Sequence, residues 1–114
     1  MQQSKVKKIA LLLDARHWGG IEQHVLTLAE ALQQESDVKV CIILWQQYPN
    51  SSVSERMRQE FSGDLHYAYG SYSKLCRLLQ LHAVTIVHCH GYKANLIGRI
   101  VKIHKGLRVI STHH

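Results

Sequence analysis

The sequence predicts an α/β fold: an open, doubly wound and mostly parallel Rossmann-like sheet in a single domain over residues 1–114. Three observations carry this expectation. Short runs rich in Val, Ile and Leu recur without the strict alternation of a half-solvated strand, the pattern of strands buried on both faces. Segments between them place apolar residues at helical spacing. The connections are short, and neither repeats nor low-complexity stretches interrupt the strand and helix alternation.

The first strand is expected in Val6 to Leu13 (VKKIALLL). Gly19 and Gly20 then permit a tight turn into a helix over Ile21 to Gln33, where Val25, Leu28, Ala29 and Leu32 share one side. After a polar break at Glu35 to Asp37, Val38 to Leu44 reads as the second strand. The stretch from Trp45 to Ser54 holds the only proline, Pro49, and reads as an exposed loop. A short helix is expected over Ser54 to Phe61, a brief strand over Asp64 to Tyr69 and a helix over Ser71 to Leu81. The β-branched run Val84 to His88 is the expected fourth strand. A helix from Lys93 to about His104 follows, then a last strand at Leu107 to Thr112 that no later helix covers, leaving apolar surface exposed.

With 46% hydrophobic and 19% charged residues, the chain has the composition of a soluble globular protein. No apolar run approaches the roughly 20 residues needed to cross a bilayer. The stretch Ile9 to Leu13 is too short for a signal peptide and runs into Asp14 and Arg16, so a cytoplasmic location is expected. Cys41, Cys76 and Cys89 lack CxxC spacing and read as packing residues in a reducing compartment. A net charge of +6 and a pI near 9.4 suggest an anionic partner: a phosphate-bearing substrate, an acidic membrane surface or nucleic acid. No nucleic-acid-binding motif accompanies the charge, which sets the last aside. The final helix carries Lys93, Arg99, Lys102 and Lys105 beside Leu96, Ile97, Ile100, Val101 and Ile103, which reads as a core-packing helix with a basic outer face.

Sheets of this class bind ligands at the carboxyl ends of their strands, and the unusual residues fall at those ends. Gly19 and Gly20 follow the first strand, His88 to Tyr92 the fourth, and Thr112 to His114 finish the fifth. A glycine loop before a helix offers backbone amides to an anion, although a lone GG equally serves a tight turn. Glu22 lies in the first helical turn, where a carboxylate is favoured whatever its further role. His88, Cys89 and His90 invite a zinc reading, but no carboxylate or second thiol stands at ligand spacing, and no metal is expected. A histidine at a strand end suits hydrogen bonding to a polar substrate better.

Gly19-Gly20-Ile21-Glu22-Gln23-His24, then His88-Cys89-His90-Gly91 with Tyr92-Lys93-Ala94, then Thr112-His113-His114 resemble, in this order, the amino-terminal domain of family 4 glycosyltransferases of the GT-B fold. The resemblance covers Lys8 to His114 and matches the family's GGxExH-type loop, HxHG-like strand end and TxH segment. It implies a retaining sugar transfer from a nucleotide-sugar donor, as co-substrate, to a glycan or lipid-linked acceptor. It further implies that Gly19 and Gly20 approach the donor diphosphate, that His114 hydrogen-bonds the transferring sugar, and that His90, Gly91, Tyr92 and Glu22 line the acceptor side. No cofactor or metal is implied. The family's second, nucleotide-binding domain is not in this sequence, so little transfer is expected from the chain alone. The alternative is a non-catalytic Rossmann-like module that binds a nucleotide or anionic partner.

Overall fold

A computed structural model describes residues 6–14, 17–47 and 50–112, with only the backbone of Tyr92. Nine elements alternate: β1 (Lys7–Leu13), α1 (Gly20–Gln33), β2 (Val38–Leu44), α2 (Ser52–Glu60), β3 (Asp64–Tyr67), α3 (Tyr72–Leu81), β4 (Ile86–His90), α4 (Tyr92–Lys105) and β5 (Arg108–Thr112). All strand pairings are parallel, in the order β3-β2-β1-β4-β5. The expected α/β Rossmann-like sheet is therefore present. Chain order runs outward from β1 in one direction and resumes on its other side at β4, so the topological switch point lies between β1 and β4.

Alternation along the central strands feeds two cores. Ala10, Leu12, Cys41, Ile43, Val87 and Cys89 face α3 and α4. Leu11, Leu13, Val40, Ile42 and Leu44 face α1 and α2. This double burial explains the continuous apolar runs of β1 and β2. Cys41 and Cys89 sit in the core, and burial pushes both thiols up to about 12, in Cys41 with a smaller contribution from Asp64. Both stay protonated and serve as packing groups; Cys76 is half-buried.

Two expected boundaries shift for local reasons. The second helix starts at Ser52, not Ser54, because the Oγ of Ser51 accepts the Ser54 N–H at 3.1 Å and caps the first turn. The fourth strand begins at Ile86, two residues later than expected. Val84 donates its N–H to the Leu79 carbonyl at 2.9 Å, closing α3, and the chain pairs with β1 from Ile86 opposite Ile9. Cys89 and His90 thereby belong to the strand.

The largest correction concerns α4. Its expected apolar set does not all face the core: Ile97 and Val101 are buried, but Leu96, Ile100 and Ile103 are 49%, 50% and 86% exposed. At about 100° of rotation per residue, Leu96, Ile100 and Ile103 fall on the side of the helix opposite Ala94 and Val101, so both sets cannot face the sheet. A Cβ on Gly98 would stand 2.5 Å from Cys89 Sγ and 3.0 Å from a Val109 methyl, which marks the closest approach of the helix to the sheet, and the strip through Ala94, Ile97 and Val101 seats beside it. On β5, Ile110 is exposed, as expected of a strand without a covering helix.

At the other edge, His66 of β3 packs its ring on His82 beyond α3, with centroids 4.2 Å apart. Burial, and then the charge of His82, lower the His66 pKa; Asp64 opposes them weakly. A depressed folded pKa means the unfolded chain binds the proton more readily, so this contribution is complete above about pH 6.5 and is lost as pH falls. The thermal midpoint should fall on acidification below that value, and His66→Gln should flatten the fall; an equal slope in the variant would remove His66 from the account.

Candidate functional site

The parallel register sets the strand ends side by side, with Leu13 opposite His90 and His90 opposite Thr112. The chain leaves β1 at Asp14 and β4 at Gly91 on the same level, at the switch point. The first turns of α1 and α4 both begin there. They are close neighbours, since a Cβ on Gly91 would lie 3.7 Å from the Ile21 Cδ1. Two helix amino termini therefore flank one crevice with their dipoles' positive ends and first-turn amides.

The glycine loop is held from below. Glu22 is buried, and its Oε1 accepts the Gly19 N–H at 2.7 Å. This uses the Gly19 donor and leaves the next amides for the crevice. Trp18 packs into the core of α1 and α2, and the Arg56 guanidinium lies 4.2 Å above its ring. Gly20 opens α1 with nothing within 4 Å of where a Cβ would stand. The chain at Gly91 has φ 92° and ψ 166°, a region essentially restricted to glycine, and this conformation turns the strand directly into α4.

On the face where β1 and β2 present leucine and isoleucine, β4 presents His88 and His90. Their ring centroids are 4.1 Å apart, and the His24 ring of α1 stands 5.7 Å from that of His90. His90 is buried, while His88 is half-buried and shares a 2.6 Å hydrogen bond between Nε2 and the Thr112 hydroxyl. Asn95 donates from Nδ2 to the Thr112 carbonyl at 3.3 Å, which ties the first turn of α4 to the end of β5. Asp14 follows β1 into this region, and its buried Oδ1 accepts no hydrogen bond from a described residue. The arrangement offers a hydroxyl, imidazoles and two sets of backbone amides to a polar, anionic ligand, while the Asp14 carboxylate suits a hydroxyl donor rather than the anion.

Of the residues singled out in the sequence, Gly19, Gly20, His90, Gly91 and the backbone of Tyr92 meet at the crevice. Glu22 lies beneath the glycine loop as its hydrogen-bond partner. His114, like His113, lies outside the described residues. His88, Thr112 and Asn95 gain significance only from the structure. Alternation puts His88 beside His90, but only the register between β4 and β5 brings it to Thr112. Among the described residues, no three His, Cys, Asp or Glu side chains gather as a metal site. A hollow of 260 Å³ lined by Lys8, Lys39, Asp64 and His82 lies at the opposite, amino-terminal edge of the sheet, away from these groups.

Replacing Gly91 with alanine would force a Cβ into its glycine-only conformation. The expected cost is about 1–3 kcal/mol in denaturant unfolding; an unchanged midpoint would mean that the β4–α4 turn does not need this geometry.

The sequence model of Glycosyltransferase Family 4 matches residues 18–114, from the glycine loop through the end of the last strand. A comparison with curated proteins gives no match.

Proposed function

Since the chain belongs to glycosyltransferase family 4, we propose that its crevice receives the diphosphate of a nucleotide-sugar and that the sugar passes, with retention, to a glycan or lipid-linked acceptor. Membership itself assigns a glycosyltransferase role with a sugar donor and an acceptor. The finer reading is carried by one observation: two helix amino termini open at the switch point beside the strand-end histidines.

In this reading the first-turn amides of α1, reached across Gly20, hydrogen-bond the diphosphate and stabilise the charge that grows on the leaving nucleotide. Gly19 shapes the loop, with its own N–H already held by Glu22. His114 hydrogen-bonds the transferring sugar near the reacting centre. The acceptor approaches over His90, Gly91 and Tyr92. Neutralisation by helix dipoles requires no metal ion. These residues supply one wall, and a nucleotide-binding domain supplies the other, so the 114-residue chain alone transfers sugar negligibly. The proposed location is cytoplasmic, against the inner face of a membrane where the acceptor is lipid-linked.

The test is a titration of nucleotide-sugars and free nucleotides followed by two-dimensional NMR of backbone amides. Shifts should cluster at Gly19, Gly20 and His114. Gly20→Ala separates fold from binding, because the fold has room for the new methyl while a ligand drawn against the backbone does not. It should leave the melting temperature unchanged and weaken binding roughly tenfold or more, the loss of a charged hydrogen bond. Undiminished binding in the variant, or no shifts from a folded sample, would contradict a diphosphate site in this loop.

A further inference from the structure

The net charge of +6 is held by one half of the chain. The first 64 residues contain seven Lys or Arg and all eight acidic residues, whereas the last 50 contain seven Lys or Arg and no acidic residue. Six of those seven cations lie on α3 and α4: Lys74, Arg77, Lys93, Arg99, Lys102 and Lys105. The two helices cover the same face of the sheet, joined at their outer sides by a 3.2 Å contact between the Tyr72 hydroxyl and His104 Nδ1. All six cations are exposed. Along α4, Leu96, Ile100 and Ile103 follow one another at i, i+4 and i+7, and form a continuous outward stripe. At about 100° of rotation per residue, Lys93 and Arg99 fall on opposite flanks of that stripe.

We propose that the outer face of α3 and α4 docks on an anionic lipid bilayer. A bilayer interface takes both parts of this pattern: the apolar stripe enters the headgroup boundary while the flanking cations meet lipid phosphates. A nucleic-acid backbone would satisfy the cations and leave Leu96, Ile100 and Ile103 in water. A second copy presenting the same face would bring like charges together within a Debye length. The first turn of α4 also borders the crevice, so a bilayer along this helix would lie beside the proposed path of a lipid-linked acceptor. The proposal deepens the location given above, but its residues are separate from the crevice, and a nucleotide titration does not report on them.

The experiment is co-sedimentation of the full chain with vesicles of phosphatidylcholine alone and of phosphatidylcholine mixed with phosphatidylglycerol. Binding should require phosphatidylglycerol and weaken as salt is raised. Replacing Lys93 and Arg99, the cations that flank the stripe, with glutamine should reduce binding roughly fivefold for each cation removed. Ile103→Ser, at a position already 86% exposed and so without consequence for folding, should reduce it about fivefold to tenfold. An unchanged melting curve confirms that each variant is folded. Failure of a folded chain to bind anionic vesicles would overturn the proposal. So would full binding by Ile103→Ser, self-association through this face, or duplex RNA binding without vesicle binding.

Discussion

The parallel register of β1, β4 and β5 is the constraint on which the crevice depends. Because Leu13, His90 and Thr112 are partners across the sheet, the segments that leave these strands start at one level. A slip of one residue in β4 would turn His88 and His90 toward α3 and α4, and Val87 and Cys89 out of their core. The burial of Val87 and Cys89 therefore holds the histidines in place. The close approach of Gly98 to Cys89 adds to this, since it seats α4 directly on the strand that carries them.

The two faces of β4 divide between stability and chemistry. One continues the apolar core beneath α3 and α4. The other carries the polar rings of His88 and His90, which partner one another, His24 of α1 and Thr112. The glycine loop is set by similarly local means: Glu22 holds Gly19 from below, and Trp18 is fixed between the core and Arg56. Both helix amino termini at the crevice are thus positioned by buried groups, which limits the reorganisation an anionic ligand would require.

Much of the fold was legible because a parallel sheet covered on both faces writes itself as apolar runs, and β2 falls on Val38–Leu44 as read. The fourth strand was displaced because Val84 has a strand-like side chain but closes the α3 turn, while Cys89 and His90, past the expected strand end, belong to the strand. Helix α4 misled for another reason. Its apolar residues form two sets on different sides of the helix, and only the structure shows that Ala94, Ile97 and Val101 face the sheet while Leu96, Ile100 and Ile103 face outward. At the site, the glycine loop and His90 were visible as motifs. The pairing of His88 with Thr112 was not, because strand register is a long-range property.

The most direct measurement is a crystal structure of the chain with a nucleoside diphosphate. Phosphate density between the first turns of α1 and α4, at the carboxyl ends of β1 and β4, is the expected result. Density instead in the hollow lined by Lys8 and Lys39 at the opposite edge would contradict the account, because simple cationic attraction rather than the switch-point geometry would then select the ligand.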